Sequence, residues 1–501
     1  MSDRSILETL ESRTLLSGVS FYVSTTGSDT AAGTLAHPFK TIQHALNIAN
    51  QPGDTVLVRA GTYHERLTLP ASGTAAGGYI TLENYPGENV ILSGQNANTD
   101  DVGFGQTMIQ IINKSYLKVK GLVITNNNGI SVQDDAFGVR IQGSGSNVQI
   151  LGNTIENMTG KVTKTSGGLN YGYAGAGIQV YGSSLTTPYS KVIISGNTIT
   201  NCQPGDDSTE TLTLNGNVTG FSVDHNTISH DNNIGIDMIG GEADIFNKPD
   251  GTLKLPVARN GVCVDNTVSY IHANYGDGYA GAIYVDGGQN IVVAGNHVSY
   301  SDLGIEVGCE NHGYTASGIA VRDNLIDHNT QGGLVFGGYD KTVGKVINCT
   351  FTNNTLYHND TTGQGNGEVW IQYADNCVVE DNIIVSTSQD LLINSQYTKD
   401  NVSNYNLLYC GDGAASANFV WAGKSYSDLS TYESGSGQDH TSIFAAPKFV
   451  AAGSGNFRLS STSPAIDAGD PAFVPASGEV DFYGNPRLHG NRVDIGAAEF
   501  Q

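Results

Sequence analysis

The sequence predicts an all-β protein, a parallel β-helix wound as one long solenoid, and three observations predict it. The first is an asparagine that returns in GNTI, GNTI, HNTI, DNTV, GNHV, DNLI, NNTL, DNII and YNLL. These place Asn153, Asn197, Asn226, Asn266, Asn296, Asn324, Asn354, Asn382 and Asn406 at gaps of 44, 29, 40, 30, 28, 30, 28 and 24 residues. The shortest gap is one coil. Asn tolerates the left-handed backbone region and can hydrogen-bond to its copy one coil away, so the same residue is expected both to turn the chain and to ladder it. The second observation is compositional: β-branched pairs such as Ile193-Ile194, Val292-Val293 and Ile383-Ile384 recur beside the asparagines, among 64 glycines and few helix-length amphipathic stretches. The third is length. A single compact core of 501 residues would be unusual, whereas a solenoid grows by adding coils that touch only their neighbours.

In chain order, residues 1–19 read as a tail outside the fold. Residues 21–23 read as the core of a first strand, and residues 38–50 as a short helix whose Ile42, Ala45, Leu46 and Ala49 share one apolar face. That helix would plug the open end of the rod. Gly53-Asp54 turns into a strand at residues 55–58, and coils run on to Tyr409, giving a β-helix over residues 20–410. Residues 411–501 form a C-terminal β cap, needed because the last coil would otherwise present unpaired strand edges.

With 24 basic against 48 acidic residues, the chain repels nucleic acid and anionic membrane, which are bound by clustered Lys and Arg. No apolar run reaches the roughly 18 to 20 residues that span a bilayer, so no membrane insertion is expected and the rod should be a soluble monomer. Cys202, Cys263, Cys309, Cys349, Cys377 and Cys410 show no metal-ligand spacing. Cys349 and Cys377 each precede a ladder Asn by five residues and should share a column, as stacked thiols ahead of a bonded pair.

A second recurring element points to function. The pattern Gly-apolar-x-apolar gives GVRI, GIQV, GIDM, GIEV and GLVF, with AIYV, EVWI and TLTL as variants. Its apolar residues should face inward and the residue between them outward. That sets Arg140, Gln179, Thr213, Asp237, Tyr284, Glu306, Val335 and Trp370 in one outward column. Gln142, Tyr181, Asn215, Ile239, Asp286, Gly308, Gly337 and Gln372 form a second column two residues on. With coils about 4.8 Å apart, Asp237, Asp286 and Glu306 fall on three consecutive coils of one face. Insertions at 159–175, 241–259, 272–281, 309–315 and 360–367 lie on either side of this strand and should wall a groove. They carry Tyr275, Tyr279 and Tyr314; Tyr339 follows in a further loop, and Trp370 rises from the floor. Flat rings beside carboxylates and amides suit a sugar, whose C–H face stacks while its hydroxyls hydrogen-bond.

Paired carboxyls at this separation can do acid and base work, one held protonated by a neighbouring like charge while the other stays ionised. That is the chemistry of glycoside hydrolysis. The expected working pair is Asp286 and Glu306, with Asp237 assisting. Glu210, Asn215, Glu242, Tyr284, Glu310, Asn311, Tyr339 and Trp370 are the expected substrate contacts, with Glu210, Glu242 and Glu310 as the replacements should that pair be wrong. No metal ligands are assigned and no cofactor is expected, with calcium left open. Asp134-Asp135 reads as a surface turn rather than a calcium site, since hard cations need six or more oxygens.

Several segments resemble known families. Residues 10–17, LESRTLLS, resemble the LEPR-x-LL export motif of large bacterial surface proteins, with Ser12 in place of the usual Pro; the resemblance implies a secreted or cell-surface location. TGSD, HPFKTIQHAL and GDTVLVRAGTYHE resemble the N-terminal cap of carbohydrate-active right-handed β-helix proteins, and FRLSSTSPAIDAGDP, DFYGNPR and VDIGAAEF a choice-of-anchor module. NNIGIDMIGGE, AIYVDGGQNIVV, DLGIEVGCENH and GGLVFGGYD look like the large bacterial family of pectate-lyase-like right-handed β-helices, single-stranded rods with a helical N-terminal cap. The β-helical β-xylosidases look similar, but their catalytic Asp and Glu align with Gly308 and Phe336, so their mechanism does not carry over. Lyases of this fold typically use a Lys or Arg base, with calcium or arginine neutralising a uronate. Neither outward column offers such a base near the acids, since Arg140 lies several coils away, while Arg259, Lys341 and Lys345 sit in wall loops and could reach inward. The reading is therefore a glycoside hydrolase acting on a poly- or oligosaccharide, ahead of a polysaccharide lyase. A non-catalytic glycan-binding surface protein is the reading from a different class.

Overall fold

A computed structural model describes residues 18–97, 106–128, 135–159, 162–165, 168–171, 175–203, 210–273, 279–411 and 413–501. The export-like motif, Asp134 and Tyr275 lie outside them. Among the described residues, the strands stack into three long, mainly parallel sheets of 20, 13 and 13 strands, one for each side of a right-handed β-helix. One 13-stranded sheet holds strands that begin directly after the recurring Asn, such as Thr198–Thr200, Thr227–Ser229 and Thr355–Tyr357. The other holds the Gly-apolar-x-apolar strands, including Ile234–Ile239, Gly281–Asp286 and Leu303–Gly308; it is called the site sheet below.

The asparagine ladder is continuous. Each side-chain amide donates to the Oδ1 of its copy in the next coil, at 3.0, 3.0, 3.0, 3.0, 3.0, 2.9, 3.0 and 3.2 Å from Asn153 to Asn406. One expectation is corrected. The ladder residues do not make the left-handed corner; the residue before each one does, from Gly152 (φ 56°), Gly196 (65°), His225 (54°) and Asp265 (56°) to Asp381 (58°) and Tyr405 (54°). Laddering and turning are divided between neighbours: the ladder Asn points its amide into the core, and a preceding Gly, Asp, His, Tyr or, at Asn353, a second Asn carries the positive φ. A second interior ladder, for which the sequence reading has no counterpart, runs from Ser301 N–H to Asn329 Oδ1, from Asn329 N–H to Asn359 Oδ1 and from Asn359 N–H to Glu368 Oε1, at 2.9, 3.1 and 2.8 Å.

The ends differ. Helix Ile42–Ile48 buries Ile42, Ala45 and Leu46, and Thr41 caps it by accepting from His44 N. Glu65 accepts from Ile42 N (2.9 Å) and Gln43 N (3.0 Å), placing a carboxylate where helix N–H groups lack partners. At the other end, Asn418–Trp421 and Ile443–Phe444 stack on the final coils as a cap should. The rest of the C-terminal segment does more than cap: it doubles back along the rod's flank. Ala497 N donates to Thr355 Oγ1 (3.0 Å), Gly496 N to Asp381 O (2.7 Å) and Asp470 N to Asp381 Oδ1 (2.7 Å). Arg487, with no exposed surface, reaches Asp323 at 3.1 Å and Glu499 at 3.4 Å. All six cysteines are buried thiols, and the pairing of Thr350 with Val378 sets Cys349 and Cys377 on adjacent coils.

Candidate active site

The register of the site sheet pairs Arg140 with Gln179, Gln179 with Thr213, Thr213 with Asp237, Asp237 with Tyr284, Tyr284 with Glu306, Glu306 with Val335 and Val335 with Trp370. Asp286 lies opposite Gly308. The second column is broken at Ile239, which pairs antiparallel with Gly287 rather than alongside Asp286. Gly308 is required here: a Cβ would stand 2.5 Å from the Tyr284 hydroxyl, so only glycine lets that ring lie across the next coil.

These side chains point away from the rod's core, yet they are not solvated. Glu210, Asp237, Asp286 and Tyr284 are buried, Glu306 is half-buried and Glu310 is exposed. Residues 241–259 provide one wall, held by a small apolar cluster of Ala243, Phe246 and Leu255. Tyr314 is corrected from sugar contact to wall brace: its hydroxyl donates to Thr252 O (2.8 Å) and accepts from Leu255 N (2.9 Å). Asn311 is likewise tied to Gly240 O through its amide, at 3.3 Å.

Six carboxyl groups meet on this floor. Thr213 Oγ1 donates to Glu210 Oε2 at 2.8 Å, which fixes Glu210 one coil from Asp237. Asn215 Nδ2 donates to Glu242 Oε2 at 2.5 Å. On the far side, Glu310 N donates to Asp286 Oδ1 at 2.7 Å, and Tyr284 OH donates to Glu310 Oε1 at 3.3 Å. Asp237 Oδ1 is buried without a partner. Burial, then the charges of their neighbours, pushes Glu210, Asp237, Glu242, Asp286 and Glu306 toward their neutral forms. Glu306 is raised to about 8 by burial and then by Glu310. Glu242 is raised to about 7 by burial, with Asp244 and Glu310 adding to it against the Asn215 hydrogen bond. Asp237 goes well above the carboxylate range through burial, Glu210 and Asp286, and Asp286 through burial and Glu310, opposed by the Glu310 N–H bond. Such a cluster holds protons at neutral pH and can release one where a substrate oxygen takes on charge.

Among the described residues, no group of three or more His, Cys, Asp or Glu side chains is placed to hold a metal ion. Beyond the acids, Trp370 lies 6.3 Å from the ring of Tyr279, and Tyr339 is 63% exposed, leaving aromatic surface at the open side of the floor. Tyr181 and Thr213 stand in the two outward columns and have structural roles that alternation alone does not assign. Tyr181 abuts Arg140, whose guanidinium lies 5.0 Å from its ring centre, and Thr213 anchors Glu210. The signal was legible: both stand in the columns, and Glu210 precedes Thr213 by three residues.

Residues 21–235 match the Pel9A-like right-handed beta helix region. YwoF of Bacillus subtilis (strain 168), an uncharacterized protein, is 37% identical over 460 residues, 90% of this chain and 92% of its own length. The chain belongs to one family with YwoF, and its residues 21–235 carry the Pel9A-like right-handed beta helix region. Pectate lyase PEL9 of Emericella nidulans is 43% identical over 76 residues, covering 15% of this chain and 18% of that protein. Among solved structures, the GH136 lacto-N-biosidase from Eubacterium ramulus superposes with a TM-score of 0.54 at 13% identity, over 76% of this chain. The chain spans 65% of that enzyme's length, and the likeness is one of fold. No helix among the described residues is long and apolar enough to cross a membrane.

Proposed function

We propose that this β-helix protein is a carbohydrate-active enzyme, a glycoside hydrolase that cleaves a poly- or oligosaccharide lying along the site sheet. The observation that carries the reading is the walled strip of acids, Glu210, Asp237, Glu242, Asp286, Glu306 and Glu310, with aromatic rings at its open side. Glu306, raised to about 8, is protonated at neutral pH and donates to the leaving glycosidic oxygen. Asp286 is the partner carboxyl on the neighbouring coil: burial and the Glu310 charge raise it well above the carboxylate range, the Glu310 N–H bond opposes that rise, and it acts as base or nucleophile in the form that has released its proton. Asp237, beside Glu210, tunes the proton affinity of the pair. An acidic floor suits a neutral sugar. The Leu10 to Ser17 motif supports an extracellular place of action.

One observation favours a lyase as the second reading. Arg140 is buried, and burial lowers its pKa, the direction that a base for β-elimination requires. A panel of neutral and acidic polysaccharides, read for reducing ends and for absorbance of unsaturated products, separates the classes. Reducing ends without unsaturation, lost in both Asp286→Asn and Glu306→Gln, support the hydrolase. Unsaturated products support the lyase, and glycan binding without any product supports a surface binder.

A further inference from the structure

Two coils beyond Glu306, at the junction of the site sheet and the 20-stranded sheet, the surface changes sign. Val346 pairs with Ala374 and Ala374 with Thr398, which sets Lys345, Tyr373 and Tyr397 at one position on three successive coils. The two tyrosine rings stack with centroids 4.6 Å apart and planes 14° from parallel. Tyr397 is 60% exposed, so the outer face of the stack is uncovered. Lys399, opposite Asp375, stands two residues further along. Lys345, Tyr373, Asp375, Gln396, Tyr397, Thr398, Lys399 and Ala422 together line a surface cleft of about 390 Å³.

The charge balance of the cleft runs against that of the chain. It holds two cations and one carboxylate in a protein of net charge −24. Lys345 touches Asp375 at 3.5 Å, but this pair is exposed and contributes little, so the ammonium can turn to a ligand at small cost. Lys399 has its own exposed contact with Asp400 at 3.9 Å. The lysines sit on the first and third coils of the patch, about 10 Å apart along the rod, a distance that spans more than one sugar ring. Gln396 is oriented by its amide donating to Asn394 Oδ1 at 2.6 Å, which leaves its carbonyl oxygen as an acceptor for a hydroxyl.

We propose that the Tyr373–Tyr397 cleft is a second saccharide-binding site, separate from the acidic floor and selective for an anionic oligosaccharide, in which a ring stacks on Tyr397 and its carboxylates or sulfates meet Lys345 and Lys399. Stacking gives affinity for the C–H face of a sugar, and the ammonium groups, as compact point charges, select the anion. Such a site would hold the rod on a charged glycan matrix while the acidic floor faces neutral chains. The inference does not depend on catalysis.

The test is calorimetric titration of the full chain with trigalacturonate, with a sulfated carrageenan tetrasaccharide and with neutral cellotriose, at low and at 0.3 M salt. At least one of the two anionic probes should bind, with the other showing whether carboxylate or sulfate is preferred. Tyr397→Ala should weaken binding about tenfold or more, and Lys345→Ala combined with Lys399→Ala by a similar factor, with affinity falling as salt rises. Both changes are at exposed positions, so the melting temperature should not move. The same titrations in Glu306→Gln should be unchanged, which separates this site from the acidic floor. Failure of both anionic probes to bind, binding that survives Tyr397→Ala, or equal binding of cellotriose would overturn the proposal.

Discussion

Asn324 lies midway along the asparagine ladder, and removing its amide tests whether that ladder holds the rod together. Its Oδ1 accepts from Asn296 N (2.9 Å) and Asn296 Nδ2 (3.0 Å), and its Nδ2 donates to Val293 O and to Asn354 Oδ1, both at 2.9 Å. In Asn324→Ala, Asn296 Nδ2 keeps Cys263 O, and Asn354 Oδ1 keeps the backbone N–H of residue 324. Asn296 N–H has no such second partner and is left buried against a methyl group. Leaving a buried donor unsatisfied costs about 1–3 kcal/mol, and each further lost bond about 1 kcal/mol. With three further bonds lost and the small void added, the sum is roughly 4–6 kcal/mol. Urea unfolding followed by far-UV circular dichroism should show this as a lower midpoint. Because solenoids can lose cooperativity, amide hydrogen exchange should show the loss concentrated in the coils around Asn296 and Asn354. A cost below about 1 kcal/mol, or a loss spread evenly over the rod, would show that the ladder decorates a core that stands without it.

Three further outcomes follow from the acids and the C-terminal latch. The pH profile of kcat/KM should fall on its alkaline side near 8, where Glu306 loses its proton, and Glu310→Gln should move that limb to lower pH because it removes the like charge that helps raise Glu306. Thermal stability should also depend on pH: Glu242, Glu306 and Glu368 titrate at about 7, 8 and 8 in the fold against an ordinary value of 4.5. Their folded-state values are raised, so stability is greatest below about 4.5 and declines as pH rises through 7 to 8; melting scans that rise over this range would contradict the burial of these groups. Arg487→Ala should cost about 3 kcal/mol or more and expose residues 449–501 to limited proteolysis before the coils are cut, since it takes the cation from Glu499, leaves Asp323 to Arg322 alone and removes the bonds to Asp494 O and Gly496 O.

Much of this was legible in the sequence, because a solenoid turns sequence spacing directly into spatial spacing. The ladder from Asn153 to Asn406, the helix at Ile42–Ile48 and the column through Asp237, Tyr284 and Glu306 follow from repeat and alternation alone. What escaped depends on the backbone between repeats. The left-handed corner at Gly152, His225 and Tyr405 carries no single residue type, and so no pattern. Tyr314 and Tyr339 look alike in sequence, yet one braces a wall and the other is exposed.

The sequence alone determined which residues face the core, which face the groove and how the coils are registered, because the side-chain period of two and the coil repeat are both local rules. Only the tertiary structure decided how deeply the acids are buried and which of them raise one another's pKa. Those properties come from wall loops that pack over the strand and from neighbours brought together across coils, such as Glu310 over Asp286 and Glu242 against Asn215. The same holds for residues 449–501, whose docking on Asp323, Thr355 and Asp381 joins segments from 89 to 164 residues apart that no local pattern links.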